Sequence, residues 1–149
     1  MTKKHTETID SKLKTAWQVV SRMYNAEALL HDATIAMGHF LLNVDSHEGS
    51  YASDIAPALG MESTSLSRII QSLEEKKMIQ RIPDKNDKRK IRIVLTKKGI
   101  MQKELAKNTV RNFNHMAELK IGREKLTDFF KTIDDIVELA EQRNKLLKQ

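Results

Sequence analysis

The sequence predicts a mainly α-helical fold with a small β-wing, in which a helix-turn-helix and a strand-loop-strand lie between N-terminal and C-terminal helices. Three observations carry that prediction. Apolar residues recur at helical spacing through the first and last thirds of the 149-residue chain. Between them, a short helix, a Gly-containing turn and a second helix with a small, polar outer face follow one another. Directly afterwards PDKNDKRKIRIVLTKKG, residues 83–99, joins an alternating strand to the densest charge in the protein. From Asp84 to Lys98 the cations are Lys85, Lys88, Arg89, Lys90, Arg92, Lys97 and Lys98, against Asp84 and Asp87, a net +5 in a chain that totals +6.

Composition narrows the classes. The length suits one domain with a proper core, or a small domain plus an extension. Apolar content of 40%, with only five Gly and two Pro, excludes the disordered and fibrous classes. A pI near 9.5 points to a polyanionic partner, either nucleic acid or an anionic membrane surface. The leading MTKKHTETIDSK has no apolar stretch behind its lysines, so no signal peptide is expected, and no run is long enough to cross a bilayer. The absence of cysteine removes disulfide frameworks, thiolate zinc sites and thiol switches. A soluble cytoplasmic protein is expected.

The first helix is marked by Ile9, Leu13, Trp17, Val20 and Tyr24, with Ala16 and Met23 beside them, and Thr8 or Asp10 as its cap. A second apolar run, TIAMGHFLLNV, begins at Thr34 and stops before the polar DSHEG. Gly49 and Ser50 predict a turn, with Ser50 as the N-cap of a short helix around YASDIAPAL that Gly60 closes. In STSLSRIIQSLEEK, Leu66, Ile69, Ile70 and Leu73 follow the i, i+3, i+4, i+7 rule and form the buried stripe; Thr64, Ser65, Ser67, Arg68 and Gln71 lie opposite.

Two short alternating segments follow, MIQRI at 78–82 and KIRIVL at 90–95, with Ile91, Ile93 and Leu95 on one face and Lys90 and Arg92 on the other. Their connection, Pro83 to Arg89, exceeds a tight hairpin and predicts a protruding, flexible finger. Thr96 is the expected cap of a helix from about Lys97 to Glu118. Gly122 interrupts, and a last helix from about Arg123 to Leu147 carries the stripe Leu126, Phe129, Phe130, Ile133, Ile136, Val137 and Ala140. Helices of this length reach roughly 33–37 Å, beyond what one small core covers, so a second copy of the chain is the simplest partner for their stripes.

A cationic finger beside a polar-faced helix suits double-stranded DNA. Phosphates neutralised by Lys85, Lys88, Arg89, Lys90 and Arg92 release counterions, and Arg can enter a narrow minor groove. The helix over 63–76 fits a major groove, where Arg68 can donate to guanine O6 and N7 and Gln71 can pair with adenine. Ser63, Thr64, Ser65 and Ser67 supply short polar contacts to phosphate or base edges.

STSLSRIIQSLEEKKMIQRIPDKNDKRKIRIVLTKKG resembles the winged-helix core of the MarR regulators, the multiple-antibiotic-resistance family. The motif elements are Ser67 and Arg68, Leu73 and Glu74, Ile79 and Arg81, Asp87 and Arg89, and the closing Leu95, Thr96 and Gly99. They cover about residues 50 to 100. The resemblance implies a winged helix-turn-helix domain over 34–98, with dimerisation helices over 1–33 and 99–149. It implies a homodimer on a pseudo-palindromic operator, with Arg89 the wing residue that enters the minor groove and Asp87 orienting it through a charge-assisted hydrogen bond. Such proteins are usually repressors released from DNA by a small anionic or lipophilic ligand, for which Trp17, Tyr24, Met37, His39 and Phe40 stand in the family's usual position. The sequence departs from the pattern at Lys77, where the family usually has Gly, and at Pro57 inside the short helix.

Blander roles stand beside these. The wing charge can be a solvated surface, Arg68 a partner of Glu75 or Glu62, Ser63 to Ser65 simple caps, and the aromatic stripe ordinary core. The alternative functions are a winged-helix protein-interaction module and a non-specific DNA-binding protein. His5, His31, His39, His47 and His115 show no metal spacing, and neither a phosphate-cradling loop nor a nucleophile motif is present, so no cofactor, metal or catalysis is expected.

Overall fold

The computed structural model describes residues 7–148; His5 and the first half of the leading MTKKHTETIDSK, where no signal peptide is expected, lie outside them. Helix α1 (Ile9–Leu29) starts at Thr8. Its side chain accepts the Ser11 N–H at 3.3 Å while the Ser11 hydroxyl accepts the Thr8 N–H at 3.2 Å, a reciprocal capping box. Thr34 caps α2 (Ile35–Leu42) by accepting the Met37 N–H, and Asn25 of α1 accepts the Ile35 N–H at 3.2 Å. Two orphan donors of α2 are thus satisfied, one of them by the neighbouring helix.

Ser50 is not the cap the sequence led us to expect. Ser50–Tyr51 forms a two-residue strand, β1, and the Ser50 hydroxyl accepts the Asp45 N–H at 2.9 Å. Helix α3 (Ala52–Leu59) starts from Tyr51 with no side-chain cap, and keeps its helical course through Pro57. Gly60, at φ +60°, ends it as the Met61 N–H returns to Ala56 O at 3.2 Å. Helix α4 spans Ser63–Glu75, followed by β2 (Ile79–Pro83), β3 (Ile91–Leu95), α5 (Lys97–Ile121) and α6 (Arg123–Leu147). The sheet has three strands rather than two, in the order β1-β3-β2, all antiparallel, with Tyr51 and Ile82 both opposite Arg92.

Phe40, Leu41, Val44, Ile55, Leu66, Ile70, Leu73, Met78, Ile79, Ile93 and Leu95 form the buried core, so α2, α3 and α4 close over the sheet. Ile91, expected on the inner face, is 43% exposed, because β3 has run past the helices by that point. Thr96 does cap α5: its hydroxyl accepts the Gly99 N–H at 3.1 Å and donates to Lys77 O at 2.7 Å. Gly99 is demanded by space, since a Cβ there would stand 1.9 Å from Met78 O. Further along α5, Lys103 is buried and its ammonium donates to Val44 O at the end of α2.

The chain divides into two compact units between Thr109 and Val110, within α5. In the second, α6 has no buried residue; Leu126, Ile133 and Ile136 are half-buried, while Phe129 and Phe130 pack ring to ring at 5.8 Å and stay exposed. Among the described residues no helix is long and apolar enough to cross a membrane.

Candidate nucleic-acid interface

Leu66, Ile70 and Leu73 turn one face of α4 into the core, which leaves Ser63, Thr64, Ser65, Ser67, Arg68 and Gln71 exposed on the other. The N-cap is Glu62, without a side-chain cap bond, so Ser63 to Ser65 are helical residues rather than caps. The first intrahelical bond comes from the Leu66 N–H to Glu62 O at 3.1 Å, which leaves the preceding backbone donors facing outward at the positive end of the helix. Ser67 donates back to Ser63 O at 2.9 Å and Gln71 to Glu75 at 3.0 Å. Arg68 forms no ion pair with Glu62, Glu75 or any other carboxylate among the described residues.

The far end of α4 is fixed more firmly. Lys77 takes the left-handed conformation, φ +58°, that favours Gly. The Lys77 N–H then reaches Glu74 O and the Met78 N–H reaches Leu73 O, both at 2.9 Å, so a complete Schellman closure forms around a lysine. Arg81 on β2 grips Glu74 through two bonds, Nε at 3.2 Å and Nη2 at 2.5 Å. The Arg81 fork, through both hydrogen bonds and charge, holds the Glu74 carboxyl below its ordinary pKa. Lys76 pairs with Asp32 at 2.7 Å, tying the α1–α2 connection to the same helix end.

The wing loop is built on Asp84. Its carboxylate accepts the Tyr51 hydroxyl at 2.5 Å, the Asn86 N–H at 2.8 Å and the Asp87 N–H at 3.0 Å. These bonds, that from Tyr51 foremost, hold its pKa down to about 2. The loop closes again where Asp84 N–H meets Lys90 O at 3.0 Å, so the expected flexible finger is a hydrogen-bonded loop instead. Asp87 accepts the backbone N–H of Arg89 at 3.0 Å, shaping the turn beneath that residue.

The wing cations fall into two groups. Lys85, Lys88 and Arg89 are exposed and form no ion pair among the described residues. Arg92 is committed within the chain: Nη1 donates to Glu48 O at 2.9 Å, Nη2 donates to the Tyr51 hydroxyl at 2.9 Å, and Asp84 stands 3.7 Å away. Its guanidinium also lies 4.8 Å from the Tyr51 ring centroid, with the Lys90 ammonium at 5.4 Å from the same ring. The sequence reading missed Tyr51. No local signal links it to Asp84, which is 33 positions further on.

Of the other residues singled out, Met37 and Phe40 belong to the core. Trp17 is exposed and stacks on His39, ring centroids 6.2 Å apart, whereas Tyr24 is half-buried and burial raises its phenol pKa. Among the described residues no His, Asp and Glu cluster suits a metal ion.

A three-helix core with a cation-bearing three-stranded wing is a winged helix-turn-helix. Residues 34–91 match the model of the MarR family. No curated protein matches the chain. Among solved structures, the Staphylococcus aureus MepR–DNA complex aligns with a TM-score of 0.82 at 21% identity, over 89% of this chain and 98% of that one. Streptococcus pneumoniae FabT in complex with DNA gives 0.77 at 18% identity, over 90% and 96% of the two chains. The transcriptional regulator SlyA gives 0.74 at 22%, over 88% and 94%. At these identities the likeness is one of fold.

Proposed function

We propose that this chain is a dimeric, sequence-specific DNA-binding transcription regulator of the cytoplasm, a repressor released from its operator by a small anionic or lipophilic ligand. The observation that carries the reading is a set of exposed cations, Arg68 on the outer face of α4 and Lys85, Lys88 and Arg89 on the wing, that have no carboxylate partner among the described residues. Unpaired arginines and lysines around a polar helix face are what phosphates and guanine edges require. The match of residues 34–91 to the MarR family, and the DNA complexes of MepR and FabT that share this fold, support the same reading.

In this scheme residues 34–98 bind DNA and residues 1–33 and 99–149 dimerise. Ser63, Thr64, Ser65, Ser67, Arg68 and Gln71 face the major groove, and Lys85, Lys88, Arg89 and Lys90 grip phosphates and the minor groove. Exposed apolar side chains on the long helices, among them Leu119, Phe129, Phe130 and Leu139, support a second copy as partner. Trp17 and His39 are the stacked pair a ligand can reach.

Footprinting on fragments upstream of the chain's own gene, followed by titration across a salt series, tests the proposal. Lys88→Ala weakens binding to all sequences and flattens the salt slope by about one unit. Arg89→Ala costs on the order of 1–3 kcal/mol at one base step. Binding without salt dependence, or untouched by either change, overturns it.

A further inference from the structure

We infer that Tyr51, Asp84 and Arg92 form a latch that fixes the wing to the helix-turn-helix, so that Arg92 is a positioning residue for the wing cations rather than a ligand of DNA phosphate. The inference rests on the DNA-binding reading and adds to it a division of labour within the basic hairpin.

Geometry carries the argument. Tyr51 is at once a residue of β1 and the N-cap position of α3, so whatever grips it is attached to the first helix of the helix-turn-helix. Asp84 is the first residue after β2 and the hub of the wing loop, accepting two loop N–H groups as well as the Tyr51 hydroxyl. Arg92 sits across from Tyr51 in the ladder and covers the hydroxyl that Asp84 holds. Its remaining arm is occupied by Glu48 O, ahead of β1. A guanidinium with both arms engaged and its face on an aromatic ring is held in place, and turning it towards a phosphate would break those contacts. The arrangement joins three segments of chain by a short, charge-assisted chain of bonds. Without it, the loop that presents Lys85, Lys88 and Arg89 keeps its own internal bonds and its strands keep the β1–β3 ladder, but the loop loses its side-chain tie to Tyr51 at the start of α3.

The test uses the full chain and a fluorescein-labelled duplex selected by the wild type from a random-sequence pool. Tyr51→Phe removes the hydroxyl and no charge; it is expected to weaken binding about 3- to 10-fold, the worth of one such bond. That loss is expected to shrink in an Arg89→Ala background, where one of the three presented cations is gone, and to persist in full beside Arg68→Ala. Arg92→Lys, which keeps the charge but not the fork, is expected to bind more weakly than the wild type. In the free protein, Tyr51→Phe should speed amide exchange across residues 84–90 and leave the α4 amides unchanged.

Unchanged exchange in the wing overturns the latch whatever happens with DNA. Additive losses with Arg89→Ala, or wild-type affinity in Arg92→Lys, overturn the positioning role and make Arg92 a phosphate ligand. A wild-type chain with no salt-sensitive affinity for any duplex overturns the regulator reading itself, and this role with it.

Discussion

The stretch from Ala33 to Leu95 and the helix α6 use their apolar residues in opposite ways. In the first, Phe40, Leu41, Leu73, Met78 and Ile93 are wholly enclosed by their own chain. In the second, Phe129 is 53% exposed and Leu139 65%, on a helix of 25 residues that encloses nothing fully. A fully buried apolar side chain stabilises by about 1.5–3 kcal/mol, and the winged domain collects that term from its own residues. The long helices carry comparable side chains without collecting it. The difference teaches that one region encloses its apolar side chains with its own residues, while α6 leaves most of its own uncovered.

The largest effect that can break this comparison is in the core. Phe40→Ala is predicted to cost about 3–5 kcal/mol, seen as a large drop in the urea midpoint. Phe129→Ala at low concentration should leave that midpoint nearly where it was; an equal loss would erase the distinction. Next comes dilution. If a second copy covers the long helices, each tenfold dilution removes about 1.4 kcal/mol of stability, and thermal scans should shift downwards accordingly. Sedimentation of Phe129→Asp should then move towards the single-chain mass.

Smaller effects sharpen the picture within the winged domain. Lys77 holds a left-handed conformation at φ +58°, so Lys77→Gly should stabilise by up to about 1 kcal/mol in denaturant melts. The smallest is a pH effect on Asp84, whose carboxyl is lowered from 3.8 to about 2 by its bonds in the folded wing. A depressed folded pKa contributes stability that is present above 3.8 and is lost as pH falls through about 2. Between those values the wild type should lose stability more steeply than Asp84→Asn, and a carboxyl titration by NMR should place the midpoint near the lower one.

Much of this architecture is written in local patterns. One-sided burial imprints a helical period, which is why the Leu66, Ile70 and Leu73 stripe and the limits of α6 are visible in the chain. Gly60 announces its turn because few other residues tolerate its backbone angle. Strand β1 leaves no such trace: two residues have no period, and what makes Ser50–Tyr51 a strand is the far-off β3. The candidate site divides along the same line. Exposed cations such as Lys85, Lys88 and Arg89 can be picked out before folding is known, since nothing in the chain has to meet them. The commitment of Arg92 to Glu48, Tyr51 and Asp84 is a property of three separate segments and is visible only when they meet. Ser63 to Ser65 illustrate a subtler limit: cap and first-turn residues share a composition, and only the backbone angle of Glu62 tells them apart.

Lys103 has a chemical consequence. Its side chain is 7% exposed, its amine is occupied by Val44 O, and desolvation lowers its pKa. An amine-acylating reagent will therefore modify surface lysines such as Lys85 and Lys97 at once and reach Lys103 only when the start of α5 lifts from the end of α2. The lag of that one acylation behind the others is a built-in clock for how often this joint comes undone.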